Sequence, residues 1–151
     1  MKLQKILVPT DFSPSSDEAL LMAASLARTS GATLLVVHVE ESPAAYGMLE
    51  LYYGQPDPAD EQRLRELLEE KLSQSVPPEA GIRTEHRLVT GDPVEELLRV
   101  AREEHPDLIV MATHGRTGLR RVLMGSTAEA VVRRATCPVL TFKPRPEGLT
   151  E

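Results

Sequence analysis

The sequence of residues 107–127, DLIVMATHGRTGLRRVLMGST, contains the pattern that decides the fold. Residues 108–111, LIVM, follow one another without a polar side chain. A continuous apolar run without alternation predicts a strand buried on both faces, as in a parallel sheet. The run stops abruptly at residues 113–115, THG, and a glycine-containing loop comes after it.

The end of the same stretch predicts the start of a helix. Gly125 precedes Ser-Thr-Ala-Glu at residues 126–129, a capping-box pattern with Ser126 as the expected N-cap. A buried strand, a loop and a helix N-terminus therefore occur in order. Together they gather free backbone N–H groups and the positive end of a helix dipole, which suits an anion such as phosphate.

Two familiar phosphate loops do not match this stretch. The pattern GxxxxGK[ST] fails because no lysine precedes a serine or threonine here. The pattern GxGxxG fails on spacing, which argues against a standard dinucleotide-binding fold.

The spacing that does occur is Gly115, nine residues, and then Gly125-Ser126. With VPTDFS at residues 8–13 and CPVL at residues 137–140, it resembles the universal stress protein family, whose nucleotide-binding members carry G-x2-G-x9-G-[S/T]. The resemblance covers nearly the whole chain. Ala112 stands where the family pattern has its first glycine, and its methyl group could crowd a ligand or disfavour positive φ.

The length of 151 residues fits one domain with a real core, predicted over residues 1–145, followed by a polar tail at 146–151. The net charge of −6 gives no basic stripe, so nucleic acid is not an expected partner. One cysteine, Cys137, excludes an internal disulfide and suits a reducing compartment. Neither a signal peptide nor a membrane span is expected, which predicts a cytoplasmic location.

Strand and helix signals alternate along the chain. Apolar runs predict strands at residues 5–9, 33–39, 82–89, 107–112 and 139–143. Helices are predicted to begin after Ser13, at Asp57-Pro58, after Asp92 and at Ser126, with a further short helix within residues 44–53. The helix after Asp57 is predicted to carry Leu64, Leu67, Leu68 and Leu72 on one face.

This alternation predicts an α/β fold, a doubly wound five-stranded parallel sheet with helices on both faces. The third strand carries charged side chains, which predicts an edge position and the strand order 3-2-1-4-5 with right-handed crossovers. The switch point then lies between strands one and four. Ligands in such sheets bind beyond the strand C-termini at this crevice, where residues 9–11 meet residues 112–115.

The resemblance implies an adenine nucleotide at this crevice: ATP, with ADP and AMP as alternatives, accompanied by Mg²⁺. It implies that Asp11 accepts a hydrogen bond from the nucleoside and that the backbone of Val39 reads an adenine edge. Gly115 and Gly125 lack a Cβ and so let N–H groups approach phosphates, and a positive φ is expected at Gly125. The predicted nucleotide-binding residues are Pro9, Thr10, Asp11, Val39, Met111, Ala112, His114, Gly115, Arg116, Gly125, Ser126 and Thr127.

No catalytic constellation or metal-ligand cluster is visible in the sequence. His114 and Arg116 have no nucleophile or paired base beside them, and we interpret them as solvated loop residues. Three functions stay open: a nucleotide-binding stress-response protein acting as a dimeric regulator or protectant, a slow ATP hydrolase, and a family member that dimerises without nucleotide. The tyrosine-containing residues 40–57 are a lid, a dimer contact or a surface connection.

A homodimer is predicted through the final strand, residues 139–143. Val139, Leu140 and Phe142 make this sheet edge apolar, and an exposed apolar edge risks uncontrolled pairing. A two-fold partner can cover it with its own copy of the strand, and the resemblance implies a dimer of this kind. The alternative is that residues 144–151 fold over the edge.

Overall fold

The computed structural model describes residues 2–41, 54, 57–76, 81–114 and 124–143. Strands and helices alternate within them: β1 (Lys5–Pro9), α1 (Pro14–Ser30), β2 (Thr33–Glu41), α2 (Pro58–Ser73), β3 (Thr84–Gly91), α3 (Pro93–Glu104), β4 (Leu108–Ala112), α4 (Ser126–Arg134) and β5 (Val139–Phe142). The short helix predicted within residues 44–53 and the tail at 146–151 lie outside the described residues.

The five strands form one sheet in the order β3-β2-β1-β4-β5, and every pair is parallel. The predicted order is confirmed. The three central strands are the ones with continuous apolar runs, because each is covered on both faces. Polar β3 lies at one edge, where its charged side chains remain in contact with water.

Each face of the sheet has its own apolar core. On one face Ile6 and Val8 of β1 pack in a cluster with residues of α1 and with Leu72 of α2. On the other face Leu7 packs in a cluster with residues of α3 and α4, among them Val131. The helices therefore cover both faces, as a doubly wound sheet requires.

Three helices begin as predicted, with a polar N-cap followed by proline. The side chains of Ser13, Asp57 and Asp92 accept hydrogen bonds from backbone N–H groups of the first turn at 3.3, 2.9 and 3.0 Å. These bonds satisfy N–H groups that have no acceptor inside the helix. Helix α1 ends at Gly31, whose φ of 74° is the left-handed conformation that glycine adopts without steric cost.

The bounds of two strands, β2 and β3, differ from the prediction by two residues. β2 continues two residues past Val39, and β3 begins at Thr84 and ends at Gly91. The reason is their mutual pairing, which runs in register from Leu34 with Thr84 to Glu41 with Gly91. Backbone hydrogen bonding thus extends both strands into sequence that is too polar to be recognised as strand.

The leucine face predicted for α2 is only partly buried. Leu64 is 48% exposed and Leu67 is 63% exposed, whereas Leu72 is 2% exposed. Helix α2 packs over β3 and β2 at the side of the sheet. Of its residues only Leu72, in the last turn, is fully buried, so the apolar spacing of the helix overstates how much of it the sheet can cover.

This difference makes a prediction about stability. Leu72→Ala should lower the free energy of unfolding by about 2–5 kcal/mol, because it leaves a cavity in a closed core. The matched control Leu67→Ala, in the same helix, should change it by no more than about 0.5 kcal/mol. Urea unfolding of both variants measures the difference, and equal losses would contradict the burial assigned to α2.

Candidate functional site

Successive residues of β1 direct their backbone N–H and C=O groups towards different neighbouring strands, β2 and β4 in turn. The N–H of Thr10 donates to the carbonyl of Val37 in β2 at 2.8 Å, and the carbonyl of Lys5 accepts from the N–H of Asp107, beside β4, at 2.9 Å. Even-numbered residues of β1 therefore bond towards β2 and odd-numbered residues towards β4. Pro9 is odd-numbered, so the N–H that proline lacks would have faced β4.

The ladder between β1 and β4 is short for this reason. The two strands pair at Ile6 with Leu108 and at Leu7 with Ile109. The next pair along would need an N–H from Pro9, and the pairing stops there. The β1–β2 ladder by contrast continues to the end of β1. The sheet consequently opens between the C-terminal halves of β1 and β4, at the predicted switch point.

The turn after β1 is held by its own side chains. The N–H of Ser13 donates to Asp11 Oδ1, and the N–H of Phe12 donates to Thr10 Oγ1, both at 3.0 Å. Thr10 is buried at 4% exposure, and Asp11 is half-buried. These local bonds are the Asx and Ser/Thr turns that fix a chain reversal, and they set the direction of the Asp11 carboxylate.

The end of β4 is tied to the start of α4. The N–H of Gly125 donates to the carbonyl of Thr113 at 2.6 Å, and the N–H of Thr113 donates to Phe142 of β5 at 3.0 Å. A Cβ on Gly125 would lie 3.1 Å from the Thr113 oxygen. The φ of Gly125 is −69°, so the expectation of a positive φ is wrong. Glycine suits this position because the two backbone segments approach closely.

The predicted capping box is not formed. Gly125 is the N-cap and Ser126 is the first helical residue, with no side-chain capping bond. Because the N–H of Gly125 bonds to Thr113, Gly125 takes the N-cap position. Ser126 is then the first residue of the helix instead of its cap. The first bond within α4 runs from Glu129 N to Gly125 O at 2.9 Å. The N–H groups of Ser126, Thr127 and Ala128 therefore have no acceptor within the helix.

The other predicted residues that the structure describes lie around the same opening. Met111 is buried, and half-buried Val39 packs against the same apolar cluster. His114 Nδ1 lies 3.0 Å from Thr113 Oγ1, and Ala112 pairs with β5. Pro9, Thr10, Asp11, Gly125, Ser126 and Thr127 complete the described set. Gly115 and Arg116 lie outside the described residues.

Other features of the described residues lie apart from this opening. No group of three or more His, Cys, Asp or Glu side chains among them is arranged to hold a metal ion.

A groove of about 430 Å³ lies between α1 and α2, lined by Leu20, Leu21 and Lys71 among others. None of the predicted nucleotide-binding residues that the structure describes lines it, and Phe12, in the turn after β1, does. Among the helices described, none has the length and apolar character needed to cross a bilayer.

One residue beside the crevice was absent from the sequence prediction. His38 lies within the apolar run of β2, is 7% exposed, and places Nδ1 2.7 Å from the carbonyl oxygen of Thr10. The signal for it is a polar side chain inside a buried strand, because such a group needs a hydrogen-bond partner.

Solved structures resemble this chain over almost its whole length. Hypothetical protein MJ0577 of Methanocaldococcus jannaschii matches with a TM-score of 0.73 at 27% identity, covering 97% of this chain and 100% of that chain. A universal stress protein in complex with cAMP matches at 28% identity and TM-score 0.61, covering 95% and 98% of the two chains. A universal stress protein from Archaeoglobus fulgidus in complex with dAMP matches at 25% identity and TM-score 0.61, covering 93% and 98%.

Sequence comparison also finds universal stress proteins. Universal stress protein MJ0531 of Methanocaldococcus jannaschii is 35% identical over 147 residues, which cover 93% of this chain and 82% of that protein. The model of the Universal stress protein family matches residues 2–143. With the parallel sheet order and the crevice described above, this match covers every strand and helix of the fold. The chain therefore belongs to the universal stress protein family.

Proposed function

We propose that this chain is a cytoplasmic stress-response protein that binds an adenine nucleotide, ATP, in the crevice between β1 and β4. It acts as a nucleotide-dependent dimeric regulator or protectant. The observation that carries the proposal is the backbone hydrogen bond from Gly125 to Thr113, which holds the N-terminus of α4 at the end of β4. Three helix N–H groups and the positive end of the helix dipole are thereby fixed at one place.

The phosphates are assigned to this helix end. Ser126 is exposed, and Gly125 and Thr127 are half-buried, so the start of α4 reaches the protein surface. The N-cap has no side chain that could occupy the space in front of them. Backbone donors of this kind bind phosphate even where the protein's net charge is negative, because they act at hydrogen-bond distance.

The nucleoside is assigned to the other side of the opening. Asp11, at the end of β1, supplies a carboxylate acceptor, and Val39 and Met111 supply an apolar surface continuous with the α3/α4 core. The related structures hold cAMP and dAMP, both adenine nucleotides, which supports adenine as the base. Mg²⁺ enters this proposal with ATP, on the phosphate oxygens, where magnesium ordinarily binds.

Two alternative functions differ from this one in how they use the crevice. A slow ATP hydrolase of the same fold would bind ATP in the same crevice and then release phosphate. A family member that dimerises without nucleotide would use neither Asp11 nor the α4 N-terminus. The opening between β1 and β4 favours nucleotide binding over dimerisation without nucleotide, because a phosphate bound there would give the α4 N–H groups the acceptors that the helix does not supply.

The first test is stabilisation by the ligand. ATP with Mg²⁺ at one hundred times its dissociation constant should add about 2.7 kcal/mol to the free energy of unfolding, because only the native state binds it. For a chain of this size that corresponds to a rise in melting temperature of several degrees. Differential scanning fluorimetry at millimolar ATP measures it, and an unchanged melting temperature would favour nucleotide-independent dimerisation.

The second test is substitution of Gly125. Gly125→Val should abolish ATP binding, because its Cβ would press on the Thr113 carbonyl at 3.1 Å and its methyl groups would enter the phosphate space. The companion variant Ala112→Gly should bind ATP as well as the parent or better. Isothermal titration calorimetry on variants that circular dichroism finds folded compares them. Undiminished binding by Gly125→Val would mean that phosphate binds elsewhere.

The proposed dimer uses the outer edge of β5. The carbonyls of Pro138 and Phe142 accept from Ile109 and Thr113 beside them, so even-numbered residues of β5 bond towards β4. The N–H and C=O of Thr141 therefore face away from the sheet. Leu140 is 38% exposed on this strand. No other strand in the described part of the chain pairs with this edge, and a two-fold copy would satisfy its backbone groups.

The third test asks whether the outer edge of β5 forms the dimer interface, with a variant that leaves the pairing of β5 with β4 in place. Thr141→Pro should shift the protein from dimer to monomer, because it removes an outward N–H while leaving the bonds to β4 in place. The control Thr141→Val keeps that N–H and should remain dimeric. Multi-angle light scattering should find about twice the chain mass of 16.6 kDa for the parent and the control. A monomeric parent, or a folded and dimeric Thr141→Pro, would place the interface elsewhere.

A further inference from the structure

We propose that His38 is a positioning residue: it holds the turn after β1, and through it Asp11, in the orientation that the nucleoside requires. The inference deepens the proposed function and rests on it. His38 belongs to β2, and its side chain acts on the turn rather than on the ligand.

His38 makes a specific bond to the turn. Its Nδ1 lies 2.7 Å from the carbonyl oxygen of Thr10 across a separation of 28 residues in the chain. A carbonyl oxygen only accepts, so Nδ1 carries the hydrogen and donates it. His38 is 7% exposed and Thr10 is 4% exposed, so water does not readily replace this bond.

The bond fixes the first peptide plane of the turn. The carbonyl of Thr10 and the N–H of Asp11 belong to the same planar peptide group, so holding the oxygen also holds the backbone from which the Asp11 side chain departs. Thr10 is anchored to β2 twice, through its N–H to Val37 at 2.8 Å and through its carbonyl to His38. The Asp11 carboxylate is then directed by the N–H of Ser13.

The ring of His38 supports the same turn by contact. Its centroid lies 4.4 Å from that of Phe12, with the planes tilted by 41°. Phe12 has a φ of 60°, a left-handed conformation that costs free energy for any residue except glycine. The Lys71 ammonium group of α2 also lies over the Phe12 ring, 4.5 Å from its centroid. Packing against His38 and Lys71 offsets the backbone strain and keeps the turn in one conformation.

A matched set of variants tests the donor itself. In His38→Asn the side-chain amide can place its NH₂ group near the position of Nδ1, whereas the longer His38→Gln places it near Nε2. His38→Leu removes the donor. We expect His38→Asn to keep the dissociation constant for ATP within about threefold of the parent, and His38→Gln and His38→Leu to raise it about tenfold or more.

A second measurement distinguishes positioning from general support of the fold. Each variant is titrated with ATP and with 2′,3′-dideoxy-ATP, which lacks the ribose hydroxyl groups that a carboxylate can accept from. The parent should prefer ATP, and this preference should fall towards one in His38→Gln and His38→Leu. A purely structural role would lower the melting temperature without nucleotide and leave the preference unchanged. His38→Gln keeps a polar side chain of similar size, so it carries the test if His38→Leu does not fold.

The possible outcomes distinguish failure of the role proposed for His38 from failure of the proposed nucleotide binding. No binding of ATP by the parent would overturn the proposed function, and the inference with it. Binding by the parent with the same affinity and the same preference in folded His38→Gln would overturn the inference alone. Equal losses in His38→Asn and His38→Gln would also overturn it, because the position of the donor would then not matter.

Discussion

The crevice depends on a hydrogen bond that Pro9 cannot make. Its nitrogen faces β4 and has no hydrogen, so the ladder between β1 and β4 ends after Leu7 and Ile109. Had another residue stood there, the two central strands could have paired to their C-terminal ends. The order of the strands sets where a doubly wound sheet can bind a ligand, and this proline opens the sheet at that point.

The two sides of the opening are built by different means. On the β1 side, side chains of the turn and of β2 hold the backbone, through Thr10, Asp11 and His38. On the β4 side, backbone binds backbone, through Gly125 and Thr113. The first arrangement directs a carboxylate and the second directs N–H groups, so one side offers an acceptor and the other offers donors. A nucleotide, with hydroxyl donors at its ribose and anionic oxygens at its phosphates, matches this polarity.

Much of the chain's charge is engaged away from the crevice. Lys5 of β1 pairs with Glu104 of α3 at 2.7 Å, and Arg87 of β3 pairs with Glu103 at 2.6 Å. The hydrogen bond from Lys5 holds the pKa of Glu104 below its ordinary value. Such partly exposed pairs each contribute at most about 1 kcal/mol, and they join the end of α3 to β1 and to the polar edge strand β3. The net negative charge of the chain is thus compatible with an anion site elsewhere.

The sequence by itself determined the order of strands and helices, the sheet order and the location of the crevice. These come from signals that are local: apolar runs, polar N-caps before proline, and the polar character of β3. It also predicted most of the candidate site, because the turn after β1 and the glycine before α4 are sequence patterns. The family resemblance added the expectation of an adenine nucleotide, which no local pattern specifies.

Only the tertiary structure decided the details that depend on two distant segments meeting. The register of β2 with β3 extended both strands, and the position of α2 at the side of the sheet left Leu64 and Leu67 exposed. The approach of Gly125 to Thr113 made glycine the N-cap in place of Ser126 and gave it an ordinary φ. The bond from His38 to Thr10 joins residues 28 apart. Local propensity does not include such contacts, since they contribute to stability only once the sheet has brought the two segments together.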